Sequence, residues 1–420
     1  MNRHTMRALV LVAACGATTA CSDAPGPSIR DDELRETFAL APLGEAPRPP
    51  DDPRLAARIE LGRLLFFDPI LSGEKDVACG TCHHPDFAFA DGRQLGAGAS
   101  GVGLGPARAV SASSISGEPI GLEGRNSPTV FNAAFNADER GQPSHLGLQF
   151  WDGRAAGLEE QARGPLASRT EMAGDAYSAE LAEDSVVARL RAVADYIGRF
   201  EAAFPAEAAV QPGPAVITIE TYARAVAAYE RELVTRSTPF DHYARGDDDA
   251  LTEQQKLGLE LFFTQAKCAN CHAGPMFTDF AFRVVGAPQE GGGMAVIPGD
   301  DAGREEHTLS GADRYAFRTP TLRNVELTAP YMHDGVFETL EEVVRFYNLG
   351  GQPRHPAISD GMLDPLIPAP LGLTDAEVGA VVQFLKALTD RGHALDASLI
   401  TVPASVPSGL TPVFGVAAAP

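Results

Sequence analysis

The chain has 420 residues, is 44% hydrophobic and 21% charged, and carries a formal charge of −22. That length can bury one large core or two of ordinary size. The charge excludes a nucleic-acid surface, which selects basic side chains; it describes a solvated acidic exterior that also suits a basic partner.

Residues 1–21 read as an export signal, with Arg3 and Arg7 at a basic start, an apolar run from Ala8 to Ala14, and small residues after it. The run is too short to span a bilayer. Cys15, after Val-Ala-Ala, and Cys21, after Thr-Thr-Ala, are both placed to take the lipid of a lipoprotein signal; plain cleavage is the alternative. Residues 22–54, rich in Pro and Asp, read as a flexible tether.

Next comes "LGRLLFF" (Leu61 to Phe67), a short helix whose Leu/Phe face can cover an apolar group. It leads to Cys79-Gly80-Thr81-Cys82-His83 and a glycine-rich loop, Asp91 to Asn126. The acidic, polar run Thr235 to Thr252 reads as a boundary between domains at 55–236 and 237–400, with 401–420 as a tail.

The second domain repeats the first, with "LGLELFF" (Leu257 to Phe263) and then Cys268-Ala269-Asn270-Cys271-His272. Pro85, Phe87 and Asp91 after the first motif pair with Pro275, Phe277 and Asp279 after the second, which marks an internal duplication. Further on, Thr339 and Glu342 cap a helix that Gly350 and Gly351 end. Its Leu340, Val343, Val344 and Tyr347 share one face, so the phenol points inward. Thr374 and Glu377 cap a closing helix with Val378, Val381, Val382, Leu385 and Leu388 at helical spacing.

Four of the six cysteines lie in the two CxxCH motifs and two in the signal, so none is left for a disulfide. CxxCH suits covalent haem attachment: the thiols add to porphyrin vinyl groups, and the histidine coordinates iron. Zinc is the rival, but a closed site wants a fourth ligand close by, usually another cysteine. The expected architecture is mainly α, with two cytochrome c-like haem domains in tandem, long irregular loops and two covalently bound haem c groups.

The ordered blocks "GRLLFFDPILSG", "CGTCHHPDFAFADGR", "GRNSPTVFNAAFN", "QFWDGRAAGLEEQARGP", "TEMAG" and "FRTPTLRNVELTAPYMHDGVFETLEEVV" are more specific than the motif pair. Together, over roughly Leu55 to Leu388, they resemble the bacterial diheme cytochrome c peroxidases and their MauG-type relatives. The resemblance implies that His83 holds a peroxidatic N-terminal haem and that Glu171 is its distal acid, with Gln161 and Pro165 in the same pocket. It places Trp151, the chain's single tryptophan, between the haems, where an oxidisable indole can assist electron transfer and donate its N–H to a propionate or water. His272 would hold the C-terminal, electron-transfer haem, with Tyr347 where peroxidases usually have methionine; Met276, Met294 and Met332 are the alternatives. Tyrosine there is the MauG-type arrangement and favours higher oxidation states. Asn126, Thr328 and Pro330 match an interhaem calcium site, and His333, Asp334 and Gly335 fall near the second haem.

Many family members carry a removable histidine in the loop after the first motif, and here residues 91–126 contain none. His84 adjoins the proximal ligand and His145 is remote, so the first haem reads as five-coordinate, under a loop free to move or to dock a partner. The implied function is a periplasmic peroxidase that reduces hydrogen peroxide with electrons from a small cytochrome c or copper protein. The alternatives are a MauG-type peroxide-dependent oxidase of a protein or other substrate, and a non-catalytic diheme cytochrome. Membrane contact would come only through a lipid anchor.

Overall fold

The computed structural model describes residues 27–50, 53–290, 300–367, 369–391 and 395–412. The signal, with Cys15 and Cys21, and Met294 lie outside the described residues. No helix among those residues is long and apolar enough to cross a membrane. The fold is mainly helical, as expected; its sheet content is two short antiparallel ladders, Leu148–Gln149 with Ala155–Ala156 and Phe282–Arg283 with Phe317–Arg318.

Each half is organised by one helix pair. Ala56–Phe66 packs on Ile219–Glu230 in the first half, and Glu253–Phe263 packs on Asp375–Lys386 in the second. Three of these helices start at threonine capping boxes, at Thr218, Thr252 and Thr374. Ile219–Glu230 is thus the closing helix of the first copy. Its sequence hid this role, because its buried face is mostly alanine and tyrosine rather than valine and leucine.

The glycine shared by both repeats explains how closely the helices approach. A Cβ on Gly62 would lie 1.9 Å from the Ala225 carbonyl oxygen, and one on Gly258 would lie 2.0 Å from that of Ala380. Both crossings therefore run backbone against backbone. Gly62→Ala or Gly258→Ala should each lower stability by about 1–3 kcal/mol, as overpacking does. Urea unfolding of each variant checks this, and an unchanged midpoint would show a looser crossing.

A large hydrophobic cluster lies over each motif, one from Leu61 to Leu233 and one from Phe240 to Leu388. Two segments differ from expectation. Part of the predicted tether is packed: Asp31–Thr37 is a helix, Leu34 is buried in the second cluster, and Phe38 stacks on Phe263 at 4.6 Å. The apolar residues spaced among its Pro and Asp find a helix face to cover. Part of the predicted tail is packed as well. Val402 and Leu410 lie on the first cluster, as do Leu399 and Ile400 from the end of the expected second domain, and Tyr229 donates to the Leu399 carbonyl at 2.7 Å.

The segment expected at the boundary, Thr235 to Thr252, is itself packed. Thr238 caps the helix Pro239–Ala244, and Phe240, Asp241 and Tyr243 are buried. Asp241 forms a bidentate ion pair with Arg323 at 2.8 and 2.9 Å, and Arg323 also donates to the Pro275 carbonyl beside the second motif at 2.7 Å.

Candidate active site

Both motifs open onto one cavity of about 880 Å³, lined by Cys79, Cys82 and His83 at one end and by Cys268, Cys271 and His272 at the other. Cys79–Cys82 forms a single helical turn and Cys268–Asn270 a 3-10 turn. In each, the histidine N–H closes back on the carbonyl of the first cysteine, at 3.0 and 2.8 Å. The two thiols and the imidazole are thereby gathered on one side of the turn.

The imidazoles are oriented in the same way. His83 Nδ1 donates to the Phe89 carbonyl at 3.0 Å, and His272 Nδ1 donates to the Phe277 carbonyl at 2.9 Å. These bonds fix the tautomer and leave each Nε2 lone pair free for a metal. Burial lowers both imidazole pKa values, which keeps the rings neutral, as ligands must be. Phe89 and Phe277 both adopt left-handed backbone, φ 55° and 51°, unusual for a bulky residue. The repeat therefore pairs Phe89, not Phe87, with Phe277; the first copy holds one extra residue before the phenylalanine.

At the first end, Glu171, Gln161 and Pro165 lie on the cavity wall together with the His83 turn. Glu171 sits in the π-turn Arg169–Ala173, whose cap Ser168 accepts from the Glu171 N–H at 3.2 Å. Burial raises the Glu171 pKa, while Arg154 and Ser168 act to lower it. Gly98 runs flush against this turn: a Cβ there would meet the Thr170 carbonyl oxygen at 2.1 Å. The glycine-rich loop is tied down from within, since Arg108 is buried and donates to the Gly98 and Gly103 carbonyls at 2.6 and 3.0 Å. His84 and His145 are not among the residues lining the cavity.

At the second end, Tyr347 sits on the helix Leu340–Asn348, capped by Thr339 and Glu342 as expected, and its phenol faces the cavity. Burial raises its pKa, and the nearby Cys271 and Cys268 add to the effect. Of the three methionine alternatives, Met332 lines the cavity, whereas Met276 is packed with Phe135, Val234 and Phe280.

The stretch between the ends is polar. Trp151 lines it, but its indole N–H donates to the Asn126 carbonyl at 2.9 Å, a partner the sequence did not suggest. Arg318 faces the cavity, and its enclosure pulls its pKa down to about 10 against the opposing pull of Asp152. Arg125 pairs with Asp152 and Asp301, both at 2.6 Å. His333 stacks on Phe317 at 3.8 Å, and burial takes its pKa down to about 4. Asn126, Thr328 and Pro330 line the same wall and bring oxygen donors, the kind a hard cation requires. Sequence reasoning gave no role to Arg318, Arg125 and Arg154, although each lies in one of the family blocks. It also missed Glu123, one of two glutamates in the glycine-rich loop, which lines the first end.

The donor set fits a covalently bound haem at each end: two thiols, an imidazole with a free Nε2, apolar walls such as Phe66, Val130, Leu340 and Val381, and guanidinium groups that can neutralise propionates. Fold and cavity together define a two-centre c-type haem protein.

A family model for di-haem cytochrome c peroxidase matches residues 56–249. Methylamine utilization protein MauG of Methylorubrum extorquens is 33% identical over 383 residues, which is 90% of this chain and 90% of that protein. Cytochrome c551 peroxidase of Pseudomonas aeruginosa is 39% identical over 288 residues, 68% of this chain and 70% of that protein. The crystal structure of a MauG-like protein associated with microbial copper homeostasis matches at TM-score 0.66 and 30% identity, over 86% of this chain and 95% of that one. The chain belongs to the di-haem cytochrome c peroxidase and MauG family, a family of two-haem oxidoreductases.

Proposed function

We propose that the chain is an exported peroxidase that reduces hydrogen peroxide at the His83 end with electrons entering at the His272 end. The observation that carries this reading is the asymmetry of the cavity: carboxyl groups at one end, a phenol at the other. A haem bound at His83 supplies the iron that polarises the O–O bond. Glu171 accepts a proton from one peroxide oxygen and returns it to the other, so that the departing oxygen leaves as water. Its raised pKa brings the exchange closer to neutral pH. Gln161 lines the same pocket and would orient the substrate through its amide, and Met172 and Pro165 would limit water beside it.

At the other end Tyr347 is the proposed sixth ligand and Trp151 the intermediate stop for the electron. The donor is a small periplasmic redox protein, a cytochrome c or a copper protein, and a basic face on it would suit the charge of −22. A calcium ion between Asn126, Thr328 and Pro330 would hold the midline together. Export follows from residues 1–21, with lipid on Cys15 or Cys21 as the proposed anchor.

A second reading, peroxide-dependent oxidation of a docked protein in the MauG manner, is favoured by Tyr347, because a tyrosinate supports higher oxidation states than a thioether. Optical and EPR spectra of the resting ferric protein, followed by peroxide titration without donor, test the two. A high-spin component that peroxide converts and a donor then restores supports the peroxidase. A long-lived oxidised state in the absence of donor supports the second reading. Tyr347→Phe should alter the low-spin spectrum with both haems still attached, and an unchanged spectrum would remove Tyr347 as a ligand.

A further inference from the structure

Peroxide reduction breaks the O–O bond and forms two waters, consuming two protons and the two electrons that the redox-protein donor supplies one at a time. The proton that Glu171 moves between the peroxide oxygens is not consumed. The two consumed protons must come in from solvent, and Glu171 is enclosed. What reloads it is a question the distal acid alone leaves open.

Glu123 lies next to it. The backbone places it there: the Glu123 N–H donates to the Gly96 carbonyl at 2.8 Å, and the Ala99 N–H donates to the Thr170 carbonyl at 3.0 Å, so the strand of loop 96–99 holds both glutamates. Gly98, between those anchors, would place a Cβ 2.7 Å from Glu171 Cα. The side chain is approached from the same side, since Thr170, which adjoins Glu171, acts to lower the Glu123 pKa. Glu123 Oε1 is buried without a hydrogen-bond partner among the described residues, although the side chain lines the cavity. A buried, unpaired carboxylate oxygen is costly, and a protonated carboxyl costs much less. Burial raises the pKa of each glutamate, Glu171 pushes that of Glu123 further, and Arg154 is the cation that opposes both shifts. Gly124, the next residue, is exposed and also lines the cavity, which sets a solvent-facing rim one residue from Glu123.

Resting on the reading of Glu171 as distal acid, we propose that Glu123 is the proton-supplying partner of Glu171: it passes its carboxyl proton to the Glu171 carboxylate, which hands it on to the second product water as the donor's electrons arrive and is thereby restored, and Glu123 recovers a proton from solvent at the Gly124 rim. The pair shares a proton across two carboxyl groups, as closely placed acids do. Glu123 does not touch the substrate in this scheme and acts only through Glu171.

The test uses the haem-loaded protein and three variants: Glu123→Gln, Glu123→Asp and Glu171→Gln. In the infrared difference spectrum between parent and Glu123→Gln, a deuterium-sensitive carboxylic-acid band should be lost and the Glu171 band shifted. Steady turnover in Glu123→Gln should fall about tenfold more than the first reaction with a single equivalent of peroxide. Glu123→Asp, which keeps a carboxyl, should recover part of that loss, as a merely structural residue would not. A parent-like infrared spectrum, or equal slowing of the first and later turnovers, overturns the proposal. Full first-reaction activity in Glu171→Gln would instead remove the distal acid itself, so the two failures can be told apart.

Discussion

Replacing Glu171 by Gln should slow the reaction with peroxide by about 10²–10⁴-fold, the usual contribution of one positioned acid–base group. The loss should be confined to chemistry, because the local structure depends on groups the substitution retains. The Ser168 cap accepts from the backbone N–H of residue 171, glutamine keeps an oxygen for the contact Ser168 makes with the side chain, and Gly98 presses on the backbone of the turn. Haem content and unfolding midpoint should therefore match the parent. The pH profile should change in a defined way. Burial raises the Glu171 pKa despite the opposing Arg154, so the carboxylate form needed to accept a proton appears only above the ordinary glutamate range. The parent rate should rise with pH through that raised value, and the limb should vanish in Glu171→Gln. Stopped-flow rates across pH, with a haem count on each sample, decide it; a variant that reacts like the parent would exclude Glu171 from the chemistry.

Arg323→Met should be the most destabilising single change outside the haem ligands, costing about 3–5 kcal/mol, because it strands a buried carboxylate. Asp241 and Arg323 are almost wholly buried, 0% and 1% exposed, and the pair joins three pieces of chain. Asp241 also accepts the Leu43 N–H at 3.2 Å and the Thr238 N–H at 3.0 Å, while Arg323 reaches Pro275. Burial works to raise the Asp241 pKa, but Arg323 and Thr238 outweigh it and hold the value at about 2. A depressed carboxyl pKa contributes stability that is complete above the unfolded-state value and is lost as pH falls through the folded one. The parent should thus lose this contribution progressively as the pH falls from the ordinary aspartate range toward about 2. Arg323→Met starts from a lower stability, so it should unfold in acid at a higher pH than the parent, although its Asp241 carboxyl, titrating higher, adds less to the acid loss. Urea unfolding at neutral pH and an acid titration by circular dichroism measure both effects, and parent-like curves would show that the pair adds nothing.

The parts of this molecule that the sequence made legible are those with a fixed chemical spacing. The two CxxCH motifs, the capping boxes at Thr339 and Thr374, and the inward face of Tyr347 each depend on neighbours within a few residues. Glu171 was different: nothing in "TEMAG" separates it from a surface glutamate, and only the ordered family blocks drew attention to it. Glu123 had neither support, because its place beside Glu171 is set by contacts with residues 96–99 and 170. Asp241 and Arg323 lie far apart in the chain, and although Asp241 sits in the Thr238 capping box and Arg323 in a family block, nothing local pairs the two. Helix Ile219–Glu230 was missed for another reason: its alanines suit the close crossing at Gly62 and weaken the periodic signal that would reveal it. Residues 27–50 show the limit of composition, since proline and aspartate mask four well-spaced apolar anchors, Leu34, Phe38, Leu40 and Leu43.

The ends of the chain are exchanged between the halves: Leu34 and Phe38 lie on the core of the second, and Leu399 and Leu410 on that of the first. Each half is therefore finished with a strap that the ribosome makes at the opposite extremity. Neither can be excised as a whole unit by cutting near residue 236, because either fragment leaves with its neighbour's cover and without its own. A nick in that segment would yield two pieces still buckled to each other, and trimming one terminus would bare the haem half at the far end of the chain.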